Sequence, residues 1–550
     1  MVSPVLSFEE TMALLTPVSG PRADLPAEIE VAIIGAGTAG LTAANLLGHM
    51  GVKVVLVERN ARTSDLPRAI AVDDEYMRLL DRLGLGPDLD GHISKPFGVH
   101  FTSPLGFALV AVPGFITPNG FGNRNAVSQP MFEKILLQGV QRFAHVHCRF
   151  GASVTQIAQD KDGVTITLAD KDGQPQTIRA KYVFACDGAR SFVRQHLGIP
   201  FEGASLDQPH LVVDLAEVGD QAGFSRFICN PRRPLNAVLG PYGGRRLEFM
   251  LLPGDDHATI ASDESIRMLV DKHTPYKGMP LKIIRRAIYG LAERMAARLQ
   301  QDRVFLLGDA AHIMPPFGAQ GMNTGARDGA NLAWKIAGVL SGTLPVTALA
   351  TYDLERREHI RQTIDYSVRI GKLANIRFWP LAVLRDACFA LVNLSPAVRR
   401  YFAEMRYLPK PVIKDGLLVH DTGMANSPVG RLLPRWLLRT PDGQQTDIDA
   451  ETDLQWALIG VNIPRDALTA FATNVPWMQL SPRLISISSS LEYGYDFEFD
   501  RSRAGPLFDA LRGHIIILRP DNVVAGVAMT KDFAAVSDAL AIKLYKRNEA

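Results

Sequence analysis

Four apolar runs along this chain end in the same way. Ile29–Ile34, Val52–Val57, Lys181–Cys186 and Val304–Leu307 are mostly β-branched, aromatic or other apolar residues with little polar alternation. That pattern predicts strands buried on both faces of a parallel sheet. Each run stops at a glycine or an acid: Gly35, Glu58, Asp187-Gly188 and Gly308-Asp309. Helical spacing follows three of them, over Leu41–Leu47, from Ser191 to Leu197, and from about Asn323 through Ala326, Ala330, Ala333, Trp334, Ile336 and Ala337. Strand alternating with helix predicts an open α/β sheet. Between Phe201 and Arg294 the period changes to two. His210–Asp214, Ser225–Cys229 and Arg246–Leu252 read as a mainly antiparallel sheet inserted in the first unit. A largely helical stretch after Tyr352 leads to a linker at Pro409–Pro411, and Pro434–Asp449 is a turn-rich entry into a last domain.

The turns carry the chemistry. Gly35-Ala-Gly37-Thr-Ala39-Gly40 lies between a strand and a helix, with Glu58 closing the next strand. Gly35 makes the tight turn, Gly37 lets backbone reach a pyrophosphate, and Gly40 lets helix pack on strand. Glu58 can accept hydrogen bonds from a ribose. This context calls for a dinucleotide, without saying whether FAD or NAD. In the later turn, Asp309 offers a carboxylate at a strand's C-terminal edge. Pro315 and Pro316 stiffen the next segment, while Gly318 and Gly321 clear side chains from where something flat must approach. The following helix points its free N–H groups back at that loop, a setting for an anionic or electron-rich ring. His312, beside Gly-Asp-Ala-Ala, reads as a structural polar residue rather than a base.

Composition narrows the partners. At 550 residues the chain has room for two or three domains, and a net charge of +2 gives no electrostatic case for nucleic acid. Cys148, Cys186, Cys229 and Cys388 are scattered singly, without metal-ligand spacing, so free thiols in a reducing cytoplasm and no metal are expected. The first 28 residues carry acids and no basic start ahead of an apolar run, which argues against a signal peptide. Phe378–Leu394 is interrupted by Pro380, Arg385 and Asp386, and is too short and polar to span a bilayer. A cytoplasmic protein without a membrane partner is expected.

Taken together, Gly35–Gly40, Asp187-Gly188 and Gly308-Asp309 resemble, in this order, the three motifs of the flavin-dependent aromatic hydroxylases of the para-hydroxybenzoate hydroxylase fold. Pro67-Arg68-Ala69, Gln129 in Ser-Gln-Pro-Met-Phe-Glu and Tyr352–Arg357 resemble further family segments. Ile515–Ala525 looks like the end of the thioredoxin-like appendix of the phenol hydroxylase branch, and Pro315–Asn323 with Ala326-Arg-Asp328 looks most like 3-(3-hydroxyphenyl)propionate hydroxylases. The segment ahead of Asp442-Gly443 departs from the family, reduced to Val429–Arg435.

The resemblance implies an α/β FAD-binding, glutathione-reductase-like Rossmann domain (29–205 and 295–405) after an N-terminal extension (1–28). It further implies an inserted β-sheet substrate domain (206–294, with part of 95–125) and a C-terminal thioredoxin-like domain (412–550) without Cys-x-x-Cys. Gly35, Gly37, Ala39, Gly40, Glu58 and Arg59 would hold the ADP half of FAD. Arg68, Gln129, Gly308 and Asp309 would serve its linker, Asp187 would serve FAD and NAD(P)H together, and Pro316, Gly318, Gly321, Met322 and Asn323 would lie along its ring. Pro316 and Tyr289 are the candidate catalytic positions, and Tyr289 and Phe317 the substrate contacts. No carboxylate-binding arginine stands out; Arg226, Arg245 and Arg246 are equal candidates. The implied reaction takes hydride from NADH or NADPH onto FAD, forms a C4a-hydroperoxide with O2, and hydroxylates a small phenolic substrate. A homodimer is a family expectation. A polyketide or antibiotic hydroxylase is the alternative within the fold, and a flavin- or aromatic-binding protein without turnover is the alternative outside it.

Overall fold

The computed structural model describes residues 4–64, 68–94, 96–170, 175–220, 222–420, 424, 426–473, 476–490, 494–500 and 506–545. In it the buried runs pair as one parallel sheet. Val146–Phe150, Val54–Glu58, Glu28–Ile34, Pro175–Ala185 and Val304–Leu306 lie side by side in that order. Val31, Ala32, Ile33, Val54, Val55 and Leu56 are fully buried, as strands covered on both faces must be. Helices Thr38–His49, Gln129–Val140 and Gly321–Ser341 pack beside it. The strand order brings the Gly35, Asp187 and Gly308 turns to one edge, because all three strands run the same way and are direct neighbours.

The second sheet runs His312–Ile313, Lys282–Ala296, Phe201–Ala216, Arg245–Met250, Leu235–Leu239, Phe224–Ile228, Gly98–Thr102 and Ala108–Val112. It is antiparallel except where Phe224–Ile228 meets Gly98–Thr102. Phe201–Ala216 and Lys282–Ala296 are long enough to reach from the first sheet to the second, with register breaks near Leu206/His210 and Asp214/Leu215. His312–Ile313 follows the Gly308-Asp309 turn at once and pairs with Met295 and Arg294, so that turn is stitched to the inserted sheet.

Beyond Leu437 a third sheet forms. At its centre, Ala457–Val461 is followed by helix Arg465–Phe471 and the parallel strand Arg483–Ser488. The antiparallel hairpin His514–Leu518/Val524–Met529, with helix Phe533–Tyr545 after it, extends one side, and Phe497–Phe499, Leu437–Arg439 and Gln445–Asp447 extend the other. The described cysteines are all free, and only Cys388 of the four is exposed. Among the described residues no single helix is long and apolar enough to cross a membrane, and no cluster of His, Cys, Asp and Glu could hold a metal.

Candidate active site

The first glycine turn is tight where the backbone demands it. Gly35 has φ +103°, and a Cβ there would meet the Cys186 carbonyl oxygen at 2.4 Å. A Cβ on Gly40 would stand 1.9 Å from the Gly35 carbonyl oxygen. Gly37 is different: nothing lies within 4 Å of where its Cβ would be. The helix beginning at Thr38 has no capping side chain, so its first N–H groups open onto the same space. The Glu58 carboxylate is anchored by the Ala36 N–H at 2.9 Å and by the Asn60 backbone and side chain at 2.9 and 2.7 Å. Arg59 is exposed beside it.

At the third turn, Gly308 (φ +57°) donates its N–H to Asp328 at 3.1 Å. The same carboxylate oxygen lies 2.7 Å from His312 Nε2, and Arg356 donates to its partner oxygen at 2.9 Å. Burial works against this charge, yet His312 and Arg356 hold the Asp328 carboxyl below the usual range. His312 is thus a buried structural contact, as the sequence suggested; Asp328 and Arg356, which lock the turn to two helices, lie in the Ala326–Asp328 and Tyr352–Arg357 segments, where the motifs alone assign them no role. The Asp309 side chain is half exposed, 3.8 Å from Arg68. Pro316–Ala319 closes as a turn through the Ala319 N–H on the Pro316 carbonyl at 2.9 Å. Gly318 (φ +88°) and Ala319 (φ +56°) both adopt left-handed backbone there. Asn323 is consumed internally: it accepts from the Asp73 N–H and donates to the Ala319 carbonyl.

Gln129 is buried at its helix start, accepting from the Ala69 N–H at 2.7 Å and donating to Glu133 at 2.8 Å. Pro67, in the Pro-Arg-Ala segment, lies outside the described residues. Asp187 accepts from the Val193 N–H at 3.1 Å with one oxygen, while the other is buried without a hydrogen-bond partner. Burial raises its pKa above the ordinary carboxylate value.

These turns enclose a cavity of about 280 Å³. Of the residues singled out in the sequence, Gly37, Ala39, Arg68, Gln129, Gly308, Asp309, Pro316, Gly318, Gly321 and Met322 line it. Gly35, Gly40, Glu58, Arg59, Asp187 and Asn323 stand outside its lining. The opposite wall comes from the inserted sheet and is largely apolar: Phe97, Val99, Phe227 and Val238, with Asn236 and Glu248 hydrogen-bonded to one another at 3.1 Å. The wall falls within the expected substrate segments, 206–294 and 95–125, but the sequence singles out none of its residues, since only the fold sets Gly98–Thr102 beside the three strands of 224–250. Tyr289 and Phe317 do not line the cavity. Tyr289 stacks on His210 at 6.5 Å, with burial and Glu248 raising its phenol well above the usual value. Phe317 meets the edge of His210 at 6.1 Å and packs on Gly371. The three candidate arginines are all committed: Arg226 and Arg245 to Asp220, Arg246 to Asp214.

Comparison with known proteins finds the same organisation. The FAD binding domain model matches residues 28–367, and the HcaD C-terminal domain model matches residues 430–543. The 3-(3-hydroxy-phenyl)propionate/3-hydroxycinnamic acid hydroxylase of Klebsiella pneumoniae (strain 342) is 36% identical over 526 residues, 94% of each chain. Its namesake from Escherichia coli (strain 55989 / EAEC) is 34% identical over 527 residues, 93% of this chain and 94% of that protein. Among solved structures, the flavin-dependent monooxygenase PieE in complex with FAD and substrate superposes with TM-score 0.77 at 22% identity, covering 94% of this chain and 99% of that one. Aklavinone-11 hydroxylase with FAD and aklavinone gives 0.74 at 22% identity, covering 95% and 100%. At that identity the likeness concerns the fold.

Proposed function

This chain belongs to the FAD binding domain family and is an FAD-dependent aromatic monooxygenase using NAD(P)H and O2; from that premise we propose that it hydroxylates a 3-(3-hydroxyphenyl)propionate-like phenol. The observation that carries the reading is the shared cavity, in which the glycine turn and the Pro315–Met322 loop face an apolar, aromatic wall.

When bound, FAD supplies acceptance of hydride from NAD(P)H and activation of O2. The residues fit such a group. The open space at Gly37 and the uncapped helix start suit a pyrophosphate, and Asp187 keeps a buried oxygen without a partner. Gly35, Ala39 and Gly40 shape that turn, while Glu58 and Arg59 face the adenosine side. Arg68, Gln129, Gly308 and Asp309 serve the linker. Pro316, Gly318, Gly321, Met322 and Asn323 present backbone to the ring, where the start of helix Gly321–Ser341 stabilises negative charge. The apolar wall excludes water and orients the phenol; Tyr289 and Phe317 are joined to one another through His210.

On this reading, 29–205 with 295–405 forms the FAD domain, and 206–294 with part of 95–125 forms the substrate domain. Residues 412–550 form a thioredoxin-like unit, supported by the strand-helix-strand and hairpin-helix order around Ala457–Val461. No cysteine follows Cys388, so that unit serves structure rather than disulfide exchange.

The test follows NADH and NADPH oxidation over a panel of phenols, with mass spectrometry of products formed under 18O2. Faster reductant use with 3-(3-hydroxyphenyl)propionate and one labelled oxygen in its product is the expected result. Reductant consumed with H2O2 as the sole product from that acid, while another phenol gains the label, would overturn the substrate assignment.

A further inference from the structure

Arginine is rarely taken out of water without an anion. Three arginines line the cavity: Arg68, Arg124 and Arg246. Arg246 is spent on Asp214 with both ends of its guanidinium, and on the Arg68 carbonyl. Arg68 is more than half exposed and faces Asp309 at 3.8 Å. Arg124 is half-buried, and among the described residues it has no carboxylate within 4 Å. Its neighbours are neutral: the Met405 sulfur at 3.4 Å from Nη1, and the Tyr366 hydroxyl.

Position adds to chemistry. Arg124 also lines a second cavity of about 340 Å³ on the far side of the loop, and Ala71, Gly318 and Ala319 are shared by both. It therefore stands where the two spaces meet, beside the loop at Gly318, against which Tyr366 packs. The carboxylates of the second cavity are already engaged: Asp73 and Glu75 by Arg327, Asp74 by Thr117 and Asn119, Glu404 by Arg400 and Arg406. Lys410 and Arg431, which also line the second cavity, are exposed, so an arriving anion finds in Arg124 a partly buried guanidinium without a carboxylate, and an apolar ring site next to it.

We propose that Arg124 is the specificity residue for an aromatic carboxylic acid, holding the substrate's carboxylate at the junction while the ring lies against Phe97, Phe227 and Val238. This rests on reading the main cavity as the substrate site. A planar guanidinium matches a carboxylate with two parallel hydrogen bonds, which Lys cannot reproduce.

Two measurements on the FAD-loaded protein test it. Calorimetry with 3-phenylpropionate, which has no phenol to hydroxylate, reads the anchor without turnover. Arg124→Met is expected to weaken binding about 10- to 100-fold, the loss of a charged hydrogen bond, with Arg124→Lys between it and the wild type. The second compares kcat/KM for 3-(3-hydroxyphenyl)propionate and neutral 3-ethylphenol. The wild type favours the acid, and the ratio collapses toward one in Arg124→Met. Unchanged 3-phenylpropionate affinity in either variant overturns the anchor. So does a wild type that hydroxylates both phenols equally well, with the monooxygenase reading intact. If no phenol is hydroxylated yet 3-phenylpropionate binding needs Arg124, the substrate reading fails and the anchor stands. Should Arg124→Met not fold, the Lys variant and the wild-type acid preference decide.

Discussion

Glycines 37 and 40 are three residues apart and do different things. Gly40 is a packing glycine, since any Cβ would collide with the Gly35 carbonyl at 1.9 Å. Gly37 meets nothing in the protein alone. The two substitutions to alanine should therefore separate. Gly40→Ala is expected to destabilise the fold by about 2 kcal/mol or more, because backbone rather than a flexible side chain must move. Gly37→Ala should melt within a degree or two of the wild type without added flavin, and yet retain FAD poorly, because its methyl occupies the approach to the pyrophosphate. Melting curves with and without FAD, together with flavin content after gel filtration, read both effects. A Gly37→Ala protein as yellow as the wild type would remove the pyrophosphate from this turn.

At the scale of elements, the strands and turns at the cofactor edge were legible because each is local. The expected Ile29–Ile34 and Val304–Leu307 correspond to Glu28–Ile34 and Val304–Leu306, and the helix expected from Asn323 begins at Gly321. Of Phe201–Ala216 only His210–Asp214 is legible as a strand, and Lys282–Ala296 is not legible as one, because charged residues such as Arg285, Arg286, Glu293 and Arg294 break its alternation. Arg124 was invisible for a different reason. Its meaning depends on having no carboxylate nearby, which only the assembled sheets decide. Helix Thr351–Ala374 holds a further element-level consequence at His359, buried beside Arg356 and Arg327. Burial, then those two cations, push its pKa well below the ordinary value. The unfolded chain takes up that proton near pH 6.5 while the folded one resists. The stability is therefore complete above pH 6.5 and is lost as pH falls, by up to about 1.4 kcal/mol per unit. His359→Gln should flatten the fall between pH 6.5 and 5.5 in urea unfolding; an identical slope in both proteins would show that the imidazole charges without cost.

Over the whole molecule, the C-terminal unit is held to the rest by buried charge as well as by apolar packing. Glu355, on the long helix after the cavity, accepts from Arg519 at 3.0 and 2.8 Å, from Lys335 at 2.9 Å, from Asn331 at 2.7 Å and from the Leu417 N–H at 2.9 Å. Arg78 grips Asp449 with two bonds of 2.7 and 2.6 Å across the same boundary. Burial lowers the Lys335 pKa to about 8 in spite of Glu355, whereas Arg519 and Lys335 together outweigh burial at Glu355 and hold it ionised. Both ions bear a desolvation cost, so the network is stable only while complete. Glu355→Gln removes the negative charge and leaves two buried cations with Asp521 as the remaining carboxylate on Arg519. It is expected to cost about 3–5 kcal/mol. The double variant Glu355→Leu with Arg519→Met removes both sides of the pair and should cost less than the two single changes added. Because the boundary is what weakens, trypsin cleavage within 406–435 should accelerate in Glu355→Gln before flavin is released. A variant as stable and as protease-resistant as the wild type would mean that apolar packing alone docks the unit. Flavin loss preceding cleavage would mean that the network supports the cofactor edge instead.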